Sequence, residues 1–388
     1  MPATGRPGAC GTCAALAAWA LLCIVGRSDC RATWNVDAQA LVAMGWDSNP
    51  LEWVESRYRQ SDGYARLEWG LTLAEKSGAS RRGPALFLRW GAERYLRESA
   101  ENRHMVVTGA AWRWAARAHW VEAFAEGSAR FFPQQSPADT RERGNRDFAR
   151  AEGGVRGVVR AARTKVLLWR VQMAVLDKER VPLEGGATEG GSPVAERSRS
   201  AAQISTEGRW SWRPGWDALL LLDAGGIRHE RPAVGAPAGD SPAEVAGCRR
   251  DGTLALGVGV ARHTPISMRI VAAYERTWSN SYGVGFHRVR TDLAAAMLLP
   301  WQASLHLLVR WHLFSRQEDD AFLLDPYEDP DDPEFGERNR VLLSLTRPLG
   351  DGVAMEAQLG WQRNEAVVRL EEYEKTTVQI GFRYATGE

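Results

Sequence analysis

Apolar and polar residues alternate along most of this chain with a period of two, the spacing that sends successive side chains to opposite faces of a β-strand. Ala303, Leu305, Leu307, Val309, Trp311 and Leu313 share one face, while Ser304, His306, Arg310, His312 and Arg316 share the other. The same dyad sets Val353, Met355, Ala357, Leu359 and Trp361 against Glu356, Gln358 and Gln362. It also sets Leu167, Trp169, Val171, Met173 and Val175 against Arg170 and Gln172. Helical periodicity is scarce. The alternation predicts strands near 34–46, 62–74, 84–97, 104–115, 118–131, 147–161, 165–177 and 199–212. It continues near 216–230, 250–263, 266–278, 285–298, 302–316, 337–347, 352–364 and 374–384, sixteen strands in all.

The connections between these strands alternate in length. Short turns fall at 115–117, 162–164, 213–215, 264–265, 299–301 and 348–351. Long or polar segments lie between them at 132–146, 178–198, 231–249 and 317–336, and the segment 75–83 is a longer member of the short set. Sheets that cross a membrane must close, because hydrocarbon offers no partner to an unpaired strand edge. Closed barrels of the outer-membrane type have tight periplasmic turns and longer outer loops. The expected fold is therefore all-β: a transmembrane antiparallel β-barrel of about 16 strands, wound up and down, with both termini in the periplasm. A soluble β-sandwich could alternate in the same way, but it gives no reason for aromatic residues at strand ends. Trp210, Trp212 and Trp216 surround one short turn, and Trp46 and Trp278 stand beside presumed outer loops.

Composition sharpens this picture at two points. Tryptophan, at 17 residues, outnumbers both phenylalanine at 10 and tyrosine at 8, and indole rings favour the boundary between lipid and water. The 49 basic and 48 acidic residues nearly cancel, so no nucleic-acid partner is expected. Beyond Val25 no apolar run approaches the length of a membrane helix, which excludes a helical membrane protein.

The N-terminal segment predicts export. Arg6 precedes the apolar run from Ala14 to Val25, and Cys30 and Ala32 supply small residues for a signal-peptidase cut before Thr33. Residues 1–32 are expected to be a signal peptide and 33–388 the barrel. Cys10, Cys13, Cys23 and Cys30 all fall in the removed part, leaving Cys248 with no internal disulfide partner. The sequence before Cys23 or Cys30 does not supply a lipoprotein pattern.

The last strand, Thr377-Val378-Gln379-Ile380-Gly381-Phe382-Arg383-Tyr384, resembles the C-terminal signal of bacterial outer-membrane proteins, although Ala385 to Glu388 follow its terminal aromatic. The segment Gly45 to Pro50 is similar to first-strand exits of exported barrels, and the strand count resembles that of general porins. The resemblance implies an outer-membrane location, outer-membrane lipids as surroundings, and recognition of the last strand by the barrel-assembly machinery.

If the apolar faces meet lipid, charged residues line the inside. That set holds Arg66, Glu68, Arg89, Glu93, Arg113, Glu122, Glu126, Arg130, Arg156, Arg160, Arg170, Glu207 and Arg209. It continues with Arg269, Glu275, Arg288, Arg290, Asp292, His306, Arg310, Arg316, Arg340, Glu356 and Arg383. The candidate pore lining is Arg170, Arg209, Arg269, Arg288, Arg290, Asp292, His306, Arg310, Arg340 and Glu356. An arginine near the bilayer midplane costs roughly 2 to 4 kcal/mol in lipid, so these side chains need water or partners. One reading is a water-filled channel for small solutes with a mildly positive field that favours anions. Another is a neutralised Arg/Glu lattice that braces a non-transporting barrel, whose loops bind a surface partner.

Catalytic chemistry is not expected. An outer-membrane lipid hydrolase would place Ser and His on the lipid-facing wall, whereas Ser304 and His306 lie on the inward face and are spaced roughly 7 Å apart along the strand. His306 and His312, about 20 Å apart, are too distant to share a metal. The acidic segment 325–334 offers oxygen ligands for Ca²⁺, but its prolines and lack of a turn glycine fit a solvated loop better. No cofactor is expected.

Overall fold

The computed structural model describes residues 34–49, 61–75, 83–116, 119–133, 147–178, 181–182, 194–195, 198–235, 243–281, 285–316, 338–364 and 373–386. The first strands are β1 (Trp34–Asp47), β2 (Asp62–Glu75), β3 (Gly83–Tyr95), β4 (Arg103–Ala116), β5 (His119–Phe131), β6 (Phe148–Ala162) and β7 (Lys165–Lys178). A two-residue ribbon of β8 (Val181–Pro182) and β9 (Val194–Ala195) follows. The wall then resumes with β10 (Arg199–Arg213), β11 (Trp216–Gly235), β12 (Ala243–Arg262), β13 (Ser267–Ser279) and β14 (Phe286–Leu298). It ends with β15 (Ser304–Arg316), β16 (Arg338–Gly350), β17 (Val353–Asn364) and β18 (Tyr373–Ala385).

Apart from the β8–β9 ribbon, these strands form one closed antiparallel barrel of sixteen strands, each paired with its neighbours in sequence. Closure is made by β1 against β18, in register from Gln39 opposite Ala385 to Asp47 opposite Thr377. The sheet has no free edge, as a sheet in hydrocarbon requires. The proposed signal segment lies outside the described residues, as do the acidic loop 325–334 and most of the outer connections.

The short turns have local causes. Asp351 and Gly352, both with positive φ (50° and 75°), join β16 to β17 in the two-residue geometry that suits the right-handed twist of a hairpin. The predicted loop 231–249 is shorter than expected, because β11 continues to Gly235 and β12 begins at Ala243. These arms pair beyond a bulge between Arg228 and Pro232.

The barrel is inside-out relative to a soluble protein. Leu256 (56% exposed), Met173 (69%) and Met44 (73%) face outward, while Asp47, Arg249, Asp251, Glu122 and Glu275 are buried. On β12 the outward positions between Arg250 and Arg262 are Gly252, Leu254, Leu256, Val258 and Val260. The two arginines are about twelve residues apart, and a strand tilted near 40° converts that spacing into a height of roughly 30 Å, the thickness of a bilayer core. At the short-turn end this band stops in an aromatic and basic girdle. There Arg213 lies 4.4 Å from the Trp212 ring centroid and 4.6 Å from that of Trp216, and Arg262 lies 5.4 Å from the latter.

Candidate functional site

The strand register fixes which residues look inward. Starting from Glu122 on β5, successive partners run through Arg156 on β6, Arg170 on β7 and Ser205 on β10. They continue through Asp223 on β11, Ala255 on β12, Glu275 on β13 and Arg288 on β14. Arg170, Arg209, Arg269, Arg288, Arg290, Asp292, His306, Arg310, Arg340 and Glu356 all carry inward parity.

The recurring unit of the inner wall is one carboxylate held by two guanidiniums. Glu122 accepts from Arg113 Nη2 at 2.7 Å and from Arg156 Nη2 at 2.5 Å. Glu152 accepts from Arg150 at 2.6 Å and Arg170 at 3.0 Å. Glu207 accepts from Arg209 and Arg269, each at 2.6 Å. Asp292 accepts from Arg310 Nε at 2.8 Å, and Arg290 Nε lies 3.0 Å from its other carboxylate oxygen. Glu93 lies between Arg66 at 3.4 Å and Arg103 at 2.5 Å. The triads on Glu122 and Glu207 each keep one formal positive charge after pairing, whereas Arg66 also pairs with Glu68 and Arg290 also approaches Asp223, so the groups around Glu93 and Asp292 balance.

The register also sets like charges opposite one another. Arg156 faces Arg170, and Arg310 faces Arg340. Such pairs repel, and in the first case Glu122 and Glu152 flank the contact. Arg310 keeps 58% of its side-chain surface exposed to the lumen although it is paired with Asp292. Wet, partly paired guanidiniums are the form in which a charged wall can still attract an ion.

Two links reach further than neighbouring strands. Arg269 on β13 spans two intervening strands to Glu207 on β10, and Arg290 on β14 comes within 3.8 Å of Asp223 on β11. Small inward residues of β12, namely Ala255, Gly257, Gly259 and Ala261, leave room for these crossings. Beneath them Leu219, Ala261 and Val271 form a small apolar cluster on the inner wall. Two recesses open from the lumen. One of about 330 Å³ is bordered by Arg150, Gln172, Gln203, Thr253 and Arg288. The other, of about 260 Å³, is bordered by Gln39, Glu68, Arg89, Met105 and Arg383.

Several expected residues separate. Glu356 pairs with Arg383 at 2.5 Å, away from Arg288, Arg290 and Arg310. Arg288 pairs with Glu275. His306 approaches Ser304 with Nε2 at 3.2 Å from Oγ, much closer than strand spacing alone suggests, because both side chains lean along the strand. The pair faces the lumen at the short-turn end. Among the described residues no group of three or more His, Cys, Asp or Glu side chains is placed to hold a metal ion.

Sequence reasoning passed over Arg103, Arg150, Glu152, Asp223 and Lys375. Continued parity would have found Glu152 and Arg150, two and three alternate positions before Arg156. Their outward neighbours Ala149, Ala151 and Gly153 are too small to mark the lipid face.

A closed wall, an apolar belt of bilayer height and a charged interior now stand together. The chain folds as a closed sixteen-strand β-barrel built like one that spans a membrane. No protein-family model and no curated protein sequence matches the chain. Several solved structures are similar to it at a low level. OprB of Pseudomonas putida is 10% identical, with a TM-score of 0.43 over 91% of this chain and 94% of its own. An anion-selective porin from Comamonas acidovorans is 10% identical, with a TM-score of 0.39 over 92% of this chain and 100% of its own. A bacterial polysaccharide outer-membrane secretin is likewise 10% identical, with a TM-score of 0.39 over 90% of this chain and 97% of its own.

Proposed function

We propose that the barrel is a passive channel for small solutes across the outer membrane, with a mild preference for anions. The carrying observation is the Arg–carboxylate–Arg triad, which at Glu122 and Glu207 leaves net positive charge on a wall that is partly open to water. A low-dielectric wall focuses that charge into the lumen and raises the local concentration of anions. On this reading the barrel performs no covalent chemistry, and its last strand is what the assembly machinery takes hold of. Single-channel recording of refolded protein in planar bilayers tests the function directly. Discrete conductance steps are expected, and their absence across preparations of verified fold would overturn it.

One observation favours a second reading. The long crossings from Arg269 to Glu207 and from Arg290 to Asp223 tie four strands together, as a brace for a closed and non-transporting barrel would. The same recording separates the two, since a braced and sealed barrel conducts nothing.

A further inference from the structure

On the outer face of β11 and β12 the apolar band ends, at the long-connection side, in two cations set directly opposite one another. Arg228 and Arg250 are register partners on the lipid-facing parity, so their Cβ atoms lie about 5 Å apart. Both are exposed, and so is Arg276 on the next strand, opposite Leu254. Among the described residues none of these three guanidiniums makes an ion pair, whereas most inward arginines of the neighbouring strands do. Glu230, the next outward carboxylate along β11, stands beyond Arg228 at the start of the bulged stretch. The Trp278 ring packs over Gly252, the outward position just below Arg250, and is 49% exposed.

The opposite rim of the same strand is built differently. Arg262 donates from Nε to the Thr264 carbonyl at 2.9 Å and stacks on Trp216. A cation at the lower rim is therefore engaged by its own chain, and the pair at the upper rim is not. Like charges placed opposite one another weaken a sheet unless an anion lies between them, and guanidiniums bind phosphate with two parallel hydrogen bonds. The height of the apolar band places Arg228 and Arg250 in the headgroup layer of the outer leaflet.

We propose that Arg228 and Arg250 bind the phosphate of an outer-leaflet glycolipid of the lipid A type, with Trp278 against its sugar and the apolar band below against its acyl chains. The site rests on the membrane-barrel fold and its orientation, and it is independent of whether the lumen conducts. Purified protein in detergent is titrated with bis-phosphorylated lipid A, dephosphorylated lipid A and phosphatidylglycerol, and bound lipid is counted by native mass spectrometry. Bis-phosphorylated lipid A is expected to bind at least about tenfold more tightly than either of the others. The double variant Arg228→Gln/Arg250→Gln should lose that tenfold, while Arg262→Gln at the lower rim should keep it. Arg228→Lys supplies a comparison that retains charge and loses the planar fork, and its affinity should fall between the two. Folded fractions are matched by heat-dependent migration. Equal binding of the dephosphorylated lipid, or wild-type affinity in the double variant, would overturn the site. Equal binding of phosphatidylglycerol would overturn its assignment to a glycolipid.

Discussion

Gly45 shows how a single residue can decide the seam of this barrel. The Tyr64 ring on β2 lies where a Cβ at Gly45 would sit, and Tyr64 packs against Tyr95 with ring centroids 5.5 Å apart. Tyr95 donates its hydroxyl to Asp47 at 3.2 Å, and Asp47 holds Lys375 of β18 at 2.9 Å. Tyr64 donates to Gln379, also on β18, at 3.2 Å. Two aromatic residues on β2 and β3 thus lean over β1 to secure its junction with the last strand. Gly45→Val should push Tyr64 out of this position and cost about 1 to 3 kcal/mol, the usual price of overpacking, seen as a lower unfolding midpoint. The paired change Gly45→Val/Tyr64→Ala should recover part of the loss, and a double variant no better than the single would rule out the ring as the cause. None of this was legible in the sequence. Gly45 was noticed as part of the first-strand exit, but the residue it accommodates lies on another strand.

At the scale of the strand, alternation was legible wherever lipid meets one face and water the other. The bounds expected for β7, at 165–177, and for β13, at 266–278, differ from the structure by one residue. Alternation failed where that asymmetry stops. The outer arms of β11 and β12 run through the Pro-, Gly- and Ala-rich stretch 231–249. Beyond the rim neither face needs lipid-compatible side chains, so backbone pairing leaves no period in the sequence. The inward face also carries apolar exceptions such as Leu41 and Val271, 3% and 1% exposed, which pack within the wall instead of facing solvent. A facing test follows from the register. Leu256 sits midway along the outer band of β12, whereas Gln203 on β10 faces the lumen. Leu256→Arg should destabilise the assembled barrel by roughly 2 to 4 kcal/mol, and Gln203→Arg by much less, measured as folded fraction in lipid vesicles over a urea series. Comparable losses for both would contradict the assignment of faces.

Orientation belongs to the whole molecule, and it follows from the two kinds of connection. Pro133 opens the connection from β5 to β6 on the long side, and Pro214 sits in the short turn from β10 to β11; both are exposed. In a Cys248→Ser background, Pro133→Cys on intact cells should react with a membrane-impermeant thiol reagent, while Pro214→Cys should react only after lysis. The opposite pattern would invert the barrel and move the Arg228–Arg250 pair to the periplasmic leaflet.

The balance between the proposed field and a brace is also a property of the whole molecule, because each triad combines positive charge with a cross-strand link and only the sum decides. Charge on the inner wall was legible from the inward parity of the arginines, but their grouping around shared carboxylates was not, since Arg269 and Glu207 are separated by two strands. Removing carboxylates separates the two roles better than removing arginines. Asp292→Asn and Glu207→Gln each release two guanidiniums from their common partner and add one positive charge to the lumen. In an open channel the reversal potential in a salt gradient should shift further toward anion selectivity in both variants. The shift should be clear near 0.15 M salt, where the screening length is about 8 Å, and much smaller at 1 M, where it is about 3 Å. If the triads serve only as braces, both variants should instead lower the unfolding midpoint by leaving arginines repelling one another, with selectivity unmoved. A stable, conducting variant whose reversal potential equals that of the wild type would remove the triads from any role in selecting ions.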